Sequence, residues 1–380
     1  MTHDTGMLRS VKDITALSGK RVVVRVDFNV PIVGGKIRDD FRITKALPTI
    51  TYLTKKGAIV VLIAHLGEDG TESLLPIAEK LKKFVPVTFL KTSVFSNETE
   101  IALENQKKGT VVLLENIRRE KGEKENSPSF GRALSRLGEY YVNDAFSVSH
   151  RMHASIIGIP KHIPGYAGFQ FMEEVANLSS AFTPKHPFLF ILGGAKFETK
   201  IPLVKKFLKE ADTVYIAGAL ANNFFKARGY EVGLSLVDEG NLGIPNLLKH
   251  KNLVLPSDVE VSSGKTHRAC RINQVTAGDT IVDVGPESIK ELENLILGAK
   301  YILWNGPLGK YESGFGGATE KILKALSKIK AKSIVGGGDT VALISKLKLE
   351  SKLGFVSTGG GATLEYLAKG TLPGIKALMK

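Results

Sequence analysis

Phe188-Leu189-Phe190-Ile191-Leu192-Gly193-Gly194-Ala195-Lys196 is the stretch on which the fold is decided. An apolar run of strand length ends in paired glycines and a helix-period segment follows, which is the strand, turn and helix unit of an α/β protein. Reading outward toward the C-terminus, the same unit recurs at Thr213 to Ala217, Tyr301 to Trp304, Ser333 to Val335 and Phe355 to Ser357, separated by helical stretches such as Glu287 to Leu297. Toward the N-terminus it recurs at Val22 to Val26, Ala58 to Ala64, Val111 to Leu114 and Tyr141 to Asn143. The expected architecture is two doubly wound parallel-sheet (Rossmann-like) domains joined by an interdomain helix. The apolar spacing of Met172, Val175, Leu178 and Phe182 suits that helix, ending near Pro184. The division expected is 1–171, a hinge at 172–187, and 188–362.

Length and composition agree with this. At 380 residues the chain exceeds what one core sustains, so two domains are expected. With 43% hydrophobic and 24% charged residues and a mean hydropathy of +0.02, it has the composition of a folding globular protein. The longest apolar runs are strand-sized, short of the roughly 20 residues of a membrane helix. Met1 to Thr5 lack a secretory pattern, and the lone Cys270 reads as a packed thiol in a reducing compartment, so a cytoplasmic protein is expected. Fifty-two Lys plus Arg against 38 Asp plus Glu give +14, a charge that draws anions. Nucleic acid is one candidate anion. The basic residues are spread through amphipathic segments such as Lys205 to Lys209, without an aromatic or zinc-finger signature, so nucleic acid is not expected as the partner. No period of about 20 to 50 residues repeats, which excludes a solenoid.

In open α/β sheets ligands sit beyond the carboxyl ends of the strands. In the first half those ends carry Asp27-Phe28-Asn29, His65-Leu66-Gly67, Glu115-Asn116-Ile117-Arg118 and Asn143-Asp144-Ala145, followed by His150-Arg151. Arg42 heads the first helical segment. Each arginine alone could be a surface ion-pair partner, but Arg42, Arg118 and Arg151 together with His65 read as a basic site for a carboxylate or phosphate. In the second half the ends are glycine-rich: Gly193-Gly194, Gly218, Asn305-Gly306-Pro307, Gly336-Gly337-Gly338-Asp339-Thr340 and Gly359-Gly360-Gly361. Such turns feeding helix starts present backbone N–H groups to phosphates. Lys196 and Lys200 lie four apart, on one face of the following helix, within reach of those phosphates. Asp339, after a triple glycine, is placed to cap a helix, and capping does not exclude binding Mg²⁺. Ser263-Gly264-Lys265-Thr266 looks like the tail of a Walker motif, but Val259 stands where its first glycine belongs.

These segments, in this order and nearly end to end, resemble the phosphoglycerate kinase family: Arg25-Val26-Asp27-Phe28-Asn29-Val30-Pro31, His65-Leu66-Gly67, Leu114-Glu115-Asn116-Ile117-Arg118, Val142-Asn143-Asp144-Ala145-Phe146, Leu192-Gly193-Gly194-Ala195-Lys196, Trp304-Asn305-Gly306-Pro307 and Gly336-Gly337-Gly338-Asp339-Thr340. The resemblance implies a glycolytic enzyme transferring a phosphoryl group between ATP and the carboxylate of 3-phosphoglycerate. It implies that Asp27, Phe28, Asn29, Arg42, His65, Leu66, Gly67, Arg118 and Arg151 hold the acid. Lys200, Gly218, Asn305, Glu312, Gly337, Gly338, Asp339 and Thr340 would hold ATP or ADP, with Mg²⁺ on Asp339, and Arg42, Lys196 and Lys200 would be catalytic. It further implies a monomer whose C-terminal segment, roughly Thr363 to Lys380, returns to the first domain.

Two departures stand out. Glu68 occupies the place of a family arginine, and the loop Asp69 to Glu72 is short, which should weaken acid binding unless Arg119 or Lys121 substitutes. Ala217 and Ala219 replace two glycines of the adenine-side turn. Glu68 is the support for a rival reading as an inactive binding protein, against which Arg42, Lys196, Lys200 and Asp339 are all retained.

Overall fold

The computed structural model describes residues 8–240, 243–264 and 266–379. Met1 to Thr5, Lys265 of the discarded Walker-like tail and the terminal Lys380 lie outside them. The chain divides into two compact units, Met1–Ala176 with Lys369–Lys380, and Asn177–Ala368.

The first unit is built on β1 (Arg21–Val26), β2 (Ile59–Ile63), β3 (Val87–Leu90), β4 (Val111–Leu114), β5 (Tyr140–Asp144) and β6 (Gly165–Ala167). They form one parallel sheet in the order β3-β4-β2-β1-β5-β6. β2 and β4 are buried at every residue, as a sheet covered on both faces requires. Helix Phe41–Lys55 covers it with Ile43, Ala46, Ile50 and Leu53, a stripe at helical spacing that joins the core of Val22, Val24, Val60 and Leu62.

The second unit repeats the plan with β7 (Phe188–Leu192), β8 (Thr213–Ile216), β9 (Leu253–Val254), β13 (Tyr301–Asn305), β14 (Lys332–Gly336) and β15 (Phe355–Val356), in the order β9-β8-β7-β13-β14-β15, again all parallel. Between β9 and β13 the chain makes a three-stranded antiparallel sheet from β10 (Asp258–Ser263), β11 (Thr266–Arg271) and β12 (Thr280–Val284), with β10 central. Sequence reasoning did not anticipate it. β11 is exposed along most of its length, so it has no apolar face to announce it. Cys270, its buried residue, is a packed thiol. Two aspartates of this sheet cap helices: Asp258 accepts from the Glu287 and Ser288 amides of helix Pro286–Gly298 at 3.0 and 2.8 Å, and Asp283 accepts from the Ala318 amide of helix Gly317–Leu326 at 3.0 Å.

The chain passes from the first unit to the second through helix Phe169–Ser179, continued by a 3₁₀ turn at Ser180–Phe182. The start of this helix is held by Asp144, which accepts from the Phe171 amide at 3.1 Å, and by the Thr49 hydroxyl, which accepts from the Phe169 amide at 2.9 Å. The return begins at Lys369, later than Thr363. Tyr366 stays with the second unit, bonded to the Ser179 hydroxyl at 2.7 Å, whereas helix Pro373–Leu378 packs in the first, where the Gly374 amide donates to the Ser149 carbonyl at 2.8 Å. No described helix is long and apolar enough to cross a membrane.

Candidate active site

β4, β2, β1 and β5 are consecutive neighbours, so their carboxyl ends deliver four loops side by side. Asp27, just past β1, is the hub of the first group. Its carboxylate accepts from Arg42 Nη1 at 2.7 Å, from the Ser147 hydroxyl at 2.6 Å and from the Asn29 amide at 3.1 Å. The Asn29 side chain in turn accepts from the Gly67 amide at 3.1 Å, and the Gly67 carbonyl accepts from Arg118 Nη1. Arg118 is held at its backbone by the Asn116 side chain, which accepts from its amide at 3.1 Å. Arg42 and Arg118 are therefore linked through Asp27, Asn29 and Gly67, and Arg151 joins Arg118 through a shared carboxylate, that of Glu68. The Nε–H groups of Arg118 and Arg151 are buried without a hydrogen-bond partner, so each could donate to an anion.

Glu68 enters this group directly. Its carboxylate lies 3.1 Å from Arg118 Nη1 and 3.9 Å from Arg151 Nη1. Arg119, a possible substitute for the missing arginine, is turned to Glu115 at 3.4 Å.

His65 lies among the same cations. Its Nδ1 is 3.1 Å from Arg25 Nη2, and because a guanidinium has no acceptor, Nδ1 accepts and Nε2 carries the proton. Arg25 is buried within β1 and fixed by the Ser155 hydroxyl at 3.0 Å and the Val26 carbonyl at 2.6 Å. Ser155 donates onward to the buried Glu123 through its hydroxyl at 2.6 Å and its amide at 2.9 Å. Burial, then the positive charges of Arg25, Arg118, Arg151 and Arg42, hold the His65 imidazole well below its usual range. His65 is thus a neutral donor. Its ring-proton shifts in an NMR titration are expected to stay at neutral-form values from about pH 8 to about pH 5.5, where an ordinary histidine near 6.5 is mostly charged; an inflection near 6.5 would contradict the arrangement.

Two of the expected acid-site side chains point elsewhere. Phe28 and Leu66 are buried in the hydrophobic core beside Val26 and Ala64, so only their backbones can face a ligand. Both lie in the loops just past β1 and β2, turned inward between polar neighbours. Sequence reasoning also passed over Arg25, Ser155 and Glu123 as a unit. The signal was there: an arginine in the otherwise apolar Val22 to Val26 run must be paired if buried.

In the second unit β8, β7, β13 and β14 are neighbours, and their terminal glycine turns knit together backbone to backbone. The Gly193 amide donates to the Asn305 carbonyl, Gly194 to Pro307 and Gly306 to Gly336, at 2.9, 2.9 and 3.1 Å. Gly218, at φ +61°, opens helix Gly218–Ala227 so close to its neighbour that a Cβ would lie 2.5 Å from the Gly194 nitrogen.

Beneath these turns lies the Lys200 ammonium, which donates to the Gly193 carbonyl. Burial, and secondarily the charge of Lys196, lower its pKa to about 8, with Asp339 opposing. Lys196 is not its equivalent. The helix begins at Phe197, so Lys196 sits outside it in the N-cap position and is exposed, whereas Lys200 is buried one turn in. Asp339 is likewise not the cap of its helix: Gly337 occupies that position, and Asp339 is an exposed residue of the first turn of Gly338–Leu347. Thr340 beside it has a buried hydroxyl with no hydrogen-bond partner. Asn305 is buried at the end of β13, Gly338 is exposed as the first helical residue, and Glu312 is exposed on the 3₁₀ turn Tyr311–Ser313.

Among the described residues no three His, Cys, Asp or Glu side chains form a metal cage. A single exposed carboxylate in the first turn of a helix, Asp339, fits Mg²⁺, which takes one or two carboxylates and completes its shell with phosphate oxygens and water.

Comparison with known proteins covers nearly the whole chain. A family model described as phosphoglycerate kinase matches residues 11–370. The phosphoglycerate kinase of Rubrobacter xylanophilus is 42% identical over 386 residues, covering 97% of this chain and 98% of that protein. The solved structure of phosphoglycerate kinase from Coxiella burnetii superposes with a TM-score of 0.82 at 36% identity, covering 98% of each chain. That from Pyrococcus horikoshii gives 0.85 at 28% identity, again over 98% of each.

Proposed function

Because this chain belongs to the phosphoglycerate kinase family, and so transfers a phosphoryl group reversibly between ATP and the carboxylate of 3-phosphoglycerate, we propose which of its residues carry that reaction. The observation that carries the proposal is the convergence of Arg42, Arg118 and Arg151 around a neutral His65 in the unit of β1 to β6. Arg118 and Arg151 offer N–H groups to the oxyanions of the acid, His65 donates a hydrogen from Nε2, and Arg42, steadied by Asp27, meets the transferring group. On the other unit, the amides of Gly337 and Gly338 and the Lys200 ammonium hold nucleotide phosphates, with the Thr340 hydroxyl as a further donor, Asn305 and Glu312 toward the nucleoside, and Lys196 toward the transferring group. Gly218, whose own amide is bonded to the Leu308 carbonyl, allows close approach by its lack of a side chain.

The acceptor carboxylate is ionised at neutral pH, since an unperturbed carboxyl titrates at roughly 4. No general base is therefore needed. Catalysis consists of bringing two anions into line and stabilising the charge that spreads over the phosphoryl oxygens. Mg²⁺ on Asp339 would neutralise part of that charge when bound. Since acid and nucleotide are held by different units, turnover needs a motion that brings them together, and we assign it to residues 172–187 and Ser357-Thr358.

Lys200 gives the reaction a pH limb. Its ammonium is charged below about 8 and loses its proton above it. In the free enzyme, kcat/KM for ATP is expected to fall above about pH 8, and Lys200→Arg, which cannot deprotonate, should flatten the limb. An unchanged limb in that variant would reassign it. The reading as a whole is tested by a coupled assay with ATP, Mg²⁺ and 3-phosphoglycerate, in which absence of turnover would refute it.

A further inference from the structure

The short loop after His65-Leu66 is constructed so as to lay an acidic side chain on the arginines. Gly70 adopts φ +82°, and a Cβ there would lie 2.4 Å from the Arg118 carbonyl, so the turn is seated directly on the Arg118 backbone. Asp69 closes the turn by accepting from the Thr71 amide and hydroxyl at 3.1 and 2.8 Å. Asn116 ties both ends of the loop together, donating to the Leu66 and Glu72 carbonyls at 2.7 and 2.9 Å. On this frame the Glu68 carboxylate stands 3.1 Å from Arg118 and 3.9 Å from Arg151. The two partners differ in one respect that matters: the Arg118 side chain is 1% exposed and Glu68 is 71% exposed. A buried cation requires a counter-charge. An exposed carboxylate can leave for water at little cost.

We propose that Glu68 is a resident anion on the acid-binding arginines, which sets affinity for the acid because a substrate oxyanion must displace it from Arg118 and Arg151. The inference rests on the assignment of those arginines to the substrate. A tethered carboxylate competes at a high effective concentration but brings one charge and no further contacts. A phosphate, with about −1.5 to −2 charge and three acceptor oxygens, displaces it, whereas a weak monoanion does not. Glu68 therefore raises the threshold for every anion and leaves the phosphorylated acid above it. It also compensates Arg118 and Arg151, two like charges, while no ligand is bound.

The test is calorimetric titration of the full chain with 3-phosphoglycerate, without nucleotide, comparing the wild type with Glu68→Gln and Arg151→Gln. Glu68→Gln is expected to bind about five-fold tighter, the worth of an exposed ion pair, and Arg151→Gln to bind more weakly. In thermal melts Glu68→Gln should unfold below the wild type without ligand, with the gap closing at saturating 3-phosphoglycerate. Unchanged or weaker binding by Glu68→Gln, with Arg151→Gln weakened, overturns the displacement while leaving the site assignment intact. Unchanged binding by Arg151→Gln overturns the site assignment itself.

Discussion

Arg42→Ala is expected to lower kcat by about a thousandfold while leaving the chain folded, the size of effect that follows when one preorganised cation is taken from a phosphoryl-transfer transition state. The ion pair to Asp27 at 2.7 Å fixes the guanidinium before substrate arrives, so no reorganisation is left for the moment of reaction. Stability should change little. The pair is partly exposed, a class worth about 0 to 1 kcal/mol, and Asp27 keeps the Ser147 hydroxyl and the Asn29 amide. Arg42→Lys should recover only part of the rate, since an ammonium cannot reproduce the fork that serves Asp27 on one side and a phosphoryl oxygen on the other. Steady-state rates at saturating ATP and acid, with melting curves alongside, decide the matter. A kcat within tenfold of wild type would remove Arg42 from the chemistry.

Asp339→Ala is expected to cost about a hundredfold or more in turnover with ATP and to raise the Mg²⁺ concentration needed for half-maximal rate. Gly337, not Asp339, occupies the cap of helix Gly338–Leu347, so the helix survives the change. What it loses locally is a favourable charge near its N-terminus, about 0.3–1 kcal/mol. Asp339→Asn separates the two roles: it keeps a side chain of the same shape and loses the charge that a divalent cation needs. Wild-type rate in either variant would refute the metal assignment.

Much of this was readable in the residues, for identifiable reasons. Ile59 to Ile63 and Phe188 to Leu192 are apolar throughout because both faces of their sheets are covered, and the polar or glycine residues that follow each run mark where it stops. The antiparallel sheet escaped because its edge strand Thr266–Arg271 is polar and exposed and leaves no period to read. Side-chain direction escaped for another reason. Phe28 and Leu66 lie inside functional segments, yet whether a residue there turns to the ligand or the core is set by how the loops beyond the strands pack. The four-residue spacing of Lys196 and Lys200 pairs them only on a helix that contains both, and the helix begins at Phe197. The Arg25, Ser155 and Glu123 chain joins residues up to 130 positions apart, a juxtaposition that only the tertiary structure supplies.

Helix Pro373–Leu378 completes the unit that begins at the other end of the chain, with Leu378 against Gly165 and Gly374 against Ser149. On the ribosome that helix is made only after every strand of both sheets. The Asn177–Ala368 unit, contiguous in sequence, can close as soon as it has emerged, whereas its partner waits with an unfilled apolar seam until the segment after Ala368 follows.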